Sequence, residues 1–214
     1  MTRRVLATLL ALALALPFPA VAAEPAVSPA AKTPSREEKA RAYFTDTVLF
    51  DQDGRAVRFY SDVLQGNVVV VNFIFTRCTE ACPLLTRRLN GVRRELGPRF
   101  GSEVRFVSIS VDPEFDTPQE LRRFAEKQEA TYTGWTWLTG KKEDVDRVLA
   151  KLGEVVASPG DHSTGFLAAN VRTGHWTRTR PDASPAIVAQ RVRDLADEDG
   201  KRGTEGATGP SASR

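Results

Sequence analysis

The sequence predicts an α/β fold in which helices flank a mixed central sheet, and two observations carry that prediction. Residues 68–75 form an apolar run interrupted only by Asn72, which is typical of a strand covered on both faces. Two further apolar runs, at residues 104–111 and 135–139, alternate with segments of helical periodicity. Because strands that alternate with helices form parallel sheets, we expect helices on both faces.

A β-hairpin is predicted ahead of the long strand. Residues 48–50 and 57–60 have the composition of short strands, and the polar turn sequence DQDG at residues 51–54 lies between them. The domain therefore begins with an N-terminal hairpin.

The first long helix is predicted to begin at Pro83, because proline is tolerated only in the first turn of a helix. Gly97 is expected to end this helix. Its apolar residues recur at helical spacing and form the inward face: Leu85, Leu89, Val92 and Leu96.

Two further helices follow the next two strands. Residues 117–120 (TPQE) have the pattern of a capping box with proline at the first helical position. The helix that they open is predicted to direct Leu121, Phe124 and Ala125 inward. A later helix is predicted to end at Gly153, and its inward residues are Val145, Val148, Leu149 and Leu152.

The domain is predicted to close with a second hairpin and a last helix. Residues 163–170 and 176–178 flank a turn at 172–174, and Ser184-Pro185 opens the helix. The inward residues of this helix are predicted to be Ile187, Val188, Val192 and Leu195. An antiparallel hairpin and a helix after three strand–helix units form the thioredoxin-like variant of the α/β architecture.

Both ends of the chain are predicted to lie outside the domain. An apolar run follows Arg3 and Arg4, and small residues end it near position 23, as in an export signal. The run is shorter than the ~20 residues that cross a bilayer, which favours cleavage over a retained membrane anchor. We expect a periplasmic or otherwise exported protein. The predicted division is signal peptide 1–23, flexible linker 24–35, domain 36–197 and disordered tail 198–214.

The charge of the chain argues against nucleic acid as a partner. The formal net charge is +3, and removal of a signal that carries two arginines and no acid lowers it to +1. A nearly neutral protein offers no electrostatic attraction to a phosphate backbone.

Cys78 and Cys82 are the two cysteines of the chain, and they follow the most buried strand in the sequence FTRCTEACP. In an exported protein such a pair is a disulfide staple, a redox pair or a pair of metal ligands. A disulfide staple would stabilise the fold only slightly, because closing so short a loop removes little conformational entropy from the unfolded chain. The residue before a proline avoids helical conformation, so Cys82 is predicted at the N-cap of the helix, where the helix dipole favours its thiolate.

The two histidines of the chain have different predicted roles. His162 lies just before the strand that begins the second hairpin, and in a thioredoxin-like fold that loop faces the cysteines. His162 is therefore predicted as a third metal ligand. His175 is predicted to be a turn residue more than ~20 Å away, with a separate metal contact as the weaker alternative. Asp112 and Asp116 are predicted to shape the loop beside the cysteines. For Asp116, a role as a turn or helix-end residue is an equal alternative.

Three segments together resemble the Sco/SenC family of copper proteins: VVVVNFIFTRCTEACPLLT, VRFVSISVDPEFDTPQELRRFA and GDHSTGFLAAN. The resemblance implies that Cys78, Cys82 and His162 bind copper. It also implies that the protein helps to deliver copper to the CuA centre of cytochrome c oxidase, or keeps the cysteines of that centre reduced. The expected partners are a client cuproprotein and a thiol reductant, with a membrane only if the N-terminal segment is retained.

The predicted ligands suit copper in both oxidation states. Thiolates suit Cu(I), and an added imidazole allows Cu(II), so we expect one copper per chain. Zinc competes for the same ligands, but a structural zinc site normally has four protein ligands and only three are evident here.

Two functions therefore remain open. A copper chaperone needs His162, whereas a thiol–disulfide oxidoreductase that acts on exported partners, with copper incidental, needs only Cys78 and Cys82. Peroxidase activity fits poorly, because Phe75 stands three residues before Cys78, where peroxiredoxins have a threonine.

Overall fold

The structure, a computed structural model, describes residues 33–198. The predicted export signal at 1–23 lies outside the described residues, as do most of the predicted linker and nearly all of the predicted tail. Within residues 33–198, no helix is long and apolar enough to span a bilayer.

A seven-stranded mixed sheet organises the described part of the chain. Its strands are β1 (Val48–Asp51), β2 (Ala56–Arg58), β3 (Val68–Ile74), β4 (Val104–Ser110), β5 (Trp135–Thr139), β6 (Phe166–Asn170) and β7 (His175–Thr179). The spatial order is β2-β1-β5-β4-β3-β6-β7. The pairs β3–β4 and β4–β5 are parallel, and every other pair is antiparallel. The predicted mixed sheet and N-terminal hairpin are confirmed.

Five α-helices cover the two faces of the sheet in the described region: α1 (Arg36–Phe44), α2 (Ala81–Leu96), α3 (Pro118–Lys127), α4 (Lys142–Lys151) and α5 (Pro185–Ala196). The helices α2, α3 and α5 pack on one face, and α1 and α4 pack on the other. All of β3 is buried, and its side chains alternate between the two cores. Val70 and Ile74 enter the first core, and Val69 and Phe73 enter the second.

The topology brings two loops together at one edge of the sheet. Because β3 and β4 are parallel and Ile74 pairs with Ser110, both strands end at this edge. The loop after β3 carries the cysteines, and the loop after β4 carries Asp112 and Asp116.

Two elements near the start of the domain differ from the prediction. The sequence pattern does not predict α1, because its residues are mostly charged and only Phe44 is buried. Its signal is a capping box, in which Ser35 and Glu38 exchange side-chain and backbone hydrogen bonds. The prediction that the second strand reaches residue 60 is wrong. Phe59 and Tyr60 begin a π-helical segment, Phe59–Leu64, which buries both rings.

Two predictions in the last third of the domain are also corrected. β6 begins at Phe166, three residues later than predicted. The hydroxyl of Ser163 instead donates a hydrogen bond to Glu154, which lies outside the sheet. Ile187 does not face inward, since it is 65% exposed. The buried stripe of α5 begins one residue later, at Val188, and a shift of one residue turns a side chain about 100° around the helix.

Candidate metal centre

The two cysteines lie where β3 passes into α2. Cys78 is in the loop after β3, and Cys82 is the second residue of α2, which begins at Ala81. Both cysteines are free thiols. The backbone N–H of Cys82 donates a hydrogen bond to Sγ of Cys78 at 3.2 Å, so the cysteines meet at the first turn of the helix.

The predicted N-cap position of Cys82 is wrong, and so is the prediction that its thiolate is favoured. Glu80 is the N-cap residue, and Pro83 is the third helical residue. Proline is tolerated there because the first four N–H groups of a helix have no intrahelical partner. Burial, with smaller contributions from Cys78 and Asp116, raises the pKa of Cys82 to about 12.

Cys78 is the thiol that the start of α2 activates. Partial burial raises its pKa, but hydrogen bonds from Cys82 and from the N–H groups of Glu80 and Ala81 outweigh that effect, and the net pKa of Cys78 is lowered. Cys78 is also the more exposed of the two cysteines. Cys78 is therefore the more accessible thiol and the one with the lowered pKa, and Cys82 is its buried neighbour.

His162 faces Cys82 from the other side of the site. It follows a single 3-10 turn, Pro159–Asp161, and is only 7% exposed. Its Nδ1 lies 2.9 Å from the carbonyl oxygen of Ser163. Since a carbonyl only accepts hydrogen bonds, Nδ1 carries the proton, and the neutral ring has a free lone pair on Nε2. That Nε2 lies 3.7 Å from Sγ of Cys82.

Two contacts hold the loop that carries His162. Glu154 is buried and accepts hydrogen bonds from the backbone N–H of Ser163 and, at 2.7 Å, from its hydroxyl. A Cβ atom on Gly165 would lie 2.7 Å from the carbonyl oxygen of Thr179, so this close approach to β7 requires glycine. Glu154 could not be predicted from the sequence, because nothing there separates it from the other acidic residues.

Asp116 holds the cysteine loop. It is fully buried and accepts hydrogen bonds from the N–H of Thr76 at 3.1 Å, the hydroxyl of Thr76 at 2.6 Å and the hydroxyl of Ser110 at 2.6 Å. Burial raises the pKa of Asp116, although these hydrogen bonds oppose the effect. Of the two predicted roles, the structure supports the loop-shaping one. Asp112 also contacts this loop, through an ion pair of 2.6 Å with Arg77.

His175 lies at the other end of the second hairpin. It is the first residue of β7 and pairs with Asn170, the last residue of β6, so it is a strand residue and not the predicted turn residue. Its Nδ1 lies 2.8 Å from the carboxylate of Glu198. The Glu198 carboxylate therefore orients the His175 ring.

The structure brings two of the predicted ligands into contact and places the third beside them. Two ligands of one ion, at about 2.3 Å for sulfur and 2.0 Å for nitrogen, stand about 3.5 Å apart. The separation between Cys82 and His162 is close to that value. Cys78 is adjacent through its hydrogen bond with Cys82. Among residues 33–198, however, no group of three His, Cys, Asp or Glu side chains is already arranged around one point.

Comparison with known proteins identifies the family. A family model described as SCO1/SenC matches residues 34–197. The chain belongs to the SCO1/SenC family. Among curated Sco relatives, the SCO1 protein homolog of Bacillus subtilis is 38% identical over 90 residues, which cover 42% of this chain and 45% of that protein. Protein SenC of Rhodobacter capsulatus is 30% identical over 131 residues, 58% of each chain. The chain thus spans about half the length of the curated relatives it matches.

Solved Sco structures share the fold. A SCO1/SenC family lipoprotein from Bacillus anthracis str. Ames is 26% identical, with a TM-score of 0.60 over 70% of this chain and 92% of that one. BsSco, described as a member of the Sco family of cytochrome c oxidase assembly proteins with a disulfide switch, is 26% identical, with a TM-score of 0.59 over 71% and 92%. Copper-bound ScoI of Bradyrhizobium japonicum, at 24% identity and a TM-score of 0.57 over 69% and 96%, adds a likeness of fold. The predicted thioredoxin-like fold is confirmed.

Replacement of Glu154 tests how this Sco domain holds its histidine loop. Glu154→Ala is expected to lower the free energy of unfolding by about 2 kcal/mol, because two donors of Ser163 lose their acceptor. Urea unfolding measures the loss, and the NMR resonances of the His162 ring report its altered position. Glu154→Gln retains one acceptor oxygen and should lose about half as much. An unchanged His162 spectrum in Glu154→Ala would show that Glu154 does not position the ring.

Proposed function

We propose that this Sco protein is exported and binds one copper ion per chain through Cys78, Cys82 and His162. It delivers that copper to a cuproprotein, such as the oxidase subunit that carries CuA, or reduces the cysteines of that client. The observation that carries the proposal is the approach of Nε2 of His162 to Sγ of Cys82, at 3.7 Å.

The set of donor atoms supports copper as the bound metal. Two sulfurs and one imidazole nitrogen suit Cu(I) and Cu(II), whereas structural zinc normally takes four protein ligands. In the metal-free protein Cys82 stays a neutral thiol, because burial raises its pKa to about 12. Binding through both sulfurs therefore requires Cys82 to release its proton. The Ser163 carbonyl fixes the His162 tautomer, as outer partners of metal-binding histidines do.

The relatives support the proposed location and client. BsSco is described as an oxidase assembly protein, and the Bacillus anthracis relative is a lipoprotein. The signal-like pattern at residues 1–23 favours export for the present chain as well.

A specific observation also favours the second candidate, thiol–disulfide exchange with exported partners. Cys78 is partly exposed and has a lowered pKa, while Cys82 is buried beside it and has a raised pKa. An attacking thiolate next to a buried partner is the arrangement that disulfide exchange requires. In this version a thiol reductant regenerates the dithiol and copper is incidental.

The two histidines provide the experiment that tests copper binding. Equilibrium dialysis of the reduced full chain is expected to retain one copper per chain, with an intense sulfur-to-Cu(II) charge-transfer band. His162→Ala should weaken Cu(II) binding by at least about tenfold, because it removes a direct ligand. His175→Ala is the matched control, since its ring contacts Glu198, and it should bind as the wild type does.

Two outcomes would contradict the proposal. Reduced wild type that retains no copper would remove the copper function. A His162→Ala variant with wild-type affinity for Cu(I) and Cu(II), and with Cys78 and Cys82 still able to cycle, would favour the oxidoreductase.

A further inference from the structure

A groove opens beside Cys78 on the surface of the domain. Its volume is about 590 Å³, within the range of ligand sites in proteins. Its walls are the cysteine loop, the first turns of α2 and the outer face of α3. Cys78 lines the groove, whereas the buried Cys82 and His162 do not. A molecule in the groove can therefore reach Cys78 first.

The groove carries an excess of positive charge. Four cationic side chains and one carboxylate line it: Arg77, Arg87, Arg123, Lys127 and Glu120. Arg77 is paired with Asp112, and Arg123 is paired with Glu120. Arg87 and Lys127 are exposed, and within residues 33–198 neither has a carboxylate partner. These two cations stand on the two helices that form the walls.

The groove also has an apolar component that suits a peptide more than a small anion. Phe115 is 44% exposed at its rim. The guanidinium of Arg77 lies over the Phe115 ring, 4.3 Å from its centroid. Pro83 adds apolar surface along the α2 wall, and only an edge of the largely buried Phe124 reaches the groove. Exposed aromatic side chains and arginines are typical of the residues that dominate protein interfaces.

We propose that this groove docks an acidic segment of the protein that exchanges thiols or copper with Cys78. The inference rests on the proposed function only in taking Cys78 as the group that the partner must reach. The segment lies extended in the groove. Its acidic side chains on one side form ion pairs with Arg87 on α2, and those on the other side form ion pairs with Lys127 on α3. A cysteine in the middle of that segment then lies over Cys78. Because the cations line a groove, they attract such a segment before contact and raise the association rate.

A matched pair of peptides tests the proposal without copper. One peptide has a cysteine flanked by glutamates, the other has glutamines at the same places, and each cysteine carries a chromogenic thiol as a mixed disulfide. The thiolate of Cys78 attacks the peptide sulfur, a Cys78–peptide disulfide forms, and the chromogenic thiolate leaves. At low salt the glutamate peptide is expected to react about tenfold faster than the glutamine peptide with reduced wild type. High salt should remove the difference.

Reversing the charge of the two groove cations tests whether they cause the faster reaction of the glutamate peptide. Arg87→Glu combined with Lys127→Glu should abolish the preference for the glutamate peptide. Arg94→Glu combined with Arg191→Glu makes an equal change of charge on exposed arginines of α2 and α5 that do not line the groove, and it should keep the preference. Equal rates for both peptides with wild type, or a preference that survives in the double variant, would overturn the proposal.

The failure of this proposal is distinguishable from the failure of copper binding. A wild type that binds no copper but prefers the glutamate peptide leaves the docking groove standing. A wild type that binds copper but shows no preference overturns docking alone. Arg87→Gln combined with Lys127→Gln removes the positive charge without reversing it. This variant should lose most of the preference while it unfolds in urea as the wild type does, which excludes misfolding as the cause.

Discussion

Oxidation of Cys78 and Cys82 to a disulfide is expected to weaken copper binding by more than about a hundredfold. The reaction removes two electrons and two protons from the thiols and leaves sulfurs without thiolate charge. Loss of a group that only supports a metal ligand costs about 10–100-fold, and here two ligands are lost. The measurement is equilibrium dialysis of the full chain after oxidation, with a thiol titration that verifies complete disulfide formation.

Reduction of the same sample is the control, and it should restore the binding of one copper per chain. Cys78→Ser and Cys82→Ser should each lose high-affinity binding in the reduced protein, because one thiolate and one imidazole bind a soft ion less well than the full set. Equal affinities of the oxidised and reduced chain would mean that copper binds elsewhere. His175 beside Glu198 would then be the first place to look.

Asp116→Ala is expected to lower the free energy of unfolding by about 3 kcal/mol. The side chain is fully buried, and its removal leaves two donors of Thr76 and one of Ser110 without their acceptor. Since Thr76 lies two residues before Cys78, the cysteine loop should also lose its fixed position. Urea unfolding measures the stability, and the rate of Cys78 alkylation reports the change in the loop.

Two variants control for this effect. Asp116→Asn retains one acceptor oxygen and should cost about 1 kcal/mol. Asp182→Ala removes a carboxylate whose ion pair with Arg180 is exposed, and it should leave the free energy of unfolding nearly unchanged. A loss of stability in Asp116→Ala no greater than that in Asp182→Ala would show that the buried hydrogen bonds contribute little.

The sheet could be predicted because its buried strands consist mostly of apolar residues. β3 enters two cores at once, so both of its faces are apolar and the run is visible in the sequence. The helices α2 to α5 could be predicted because each has an apolar stripe and a proline or glycine near one end. The charged helix α1 has one buried residue, so periodicity could not reveal it.

The metal-site residues could be named from sequence, but their environments could not. Proline before a helix places Cys82 near its start, and a difference of two residues in the helix boundary decides which cysteine receives the free N–H groups. The sequence alone therefore favoured the thiolate of the wrong cysteine. Burial raises the pKa of Cys82, and backbone hydrogen bonds lower the pKa of Cys78.

The sequence by itself determined the order of the strands and of the helices α2 to α5, the close pair of cysteines and the histidine before the last hairpin. These features depend on local patterns of side-chain type. Only the tertiary structure decided that Nε2 of His162 faces Cys82, that Glu154 and Asp116 hold the two loops, and that Arg87 and Lys127 line a groove beside Cys78. These contacts join residues far apart in the chain, and their partners are set by how the helices pack on the sheet.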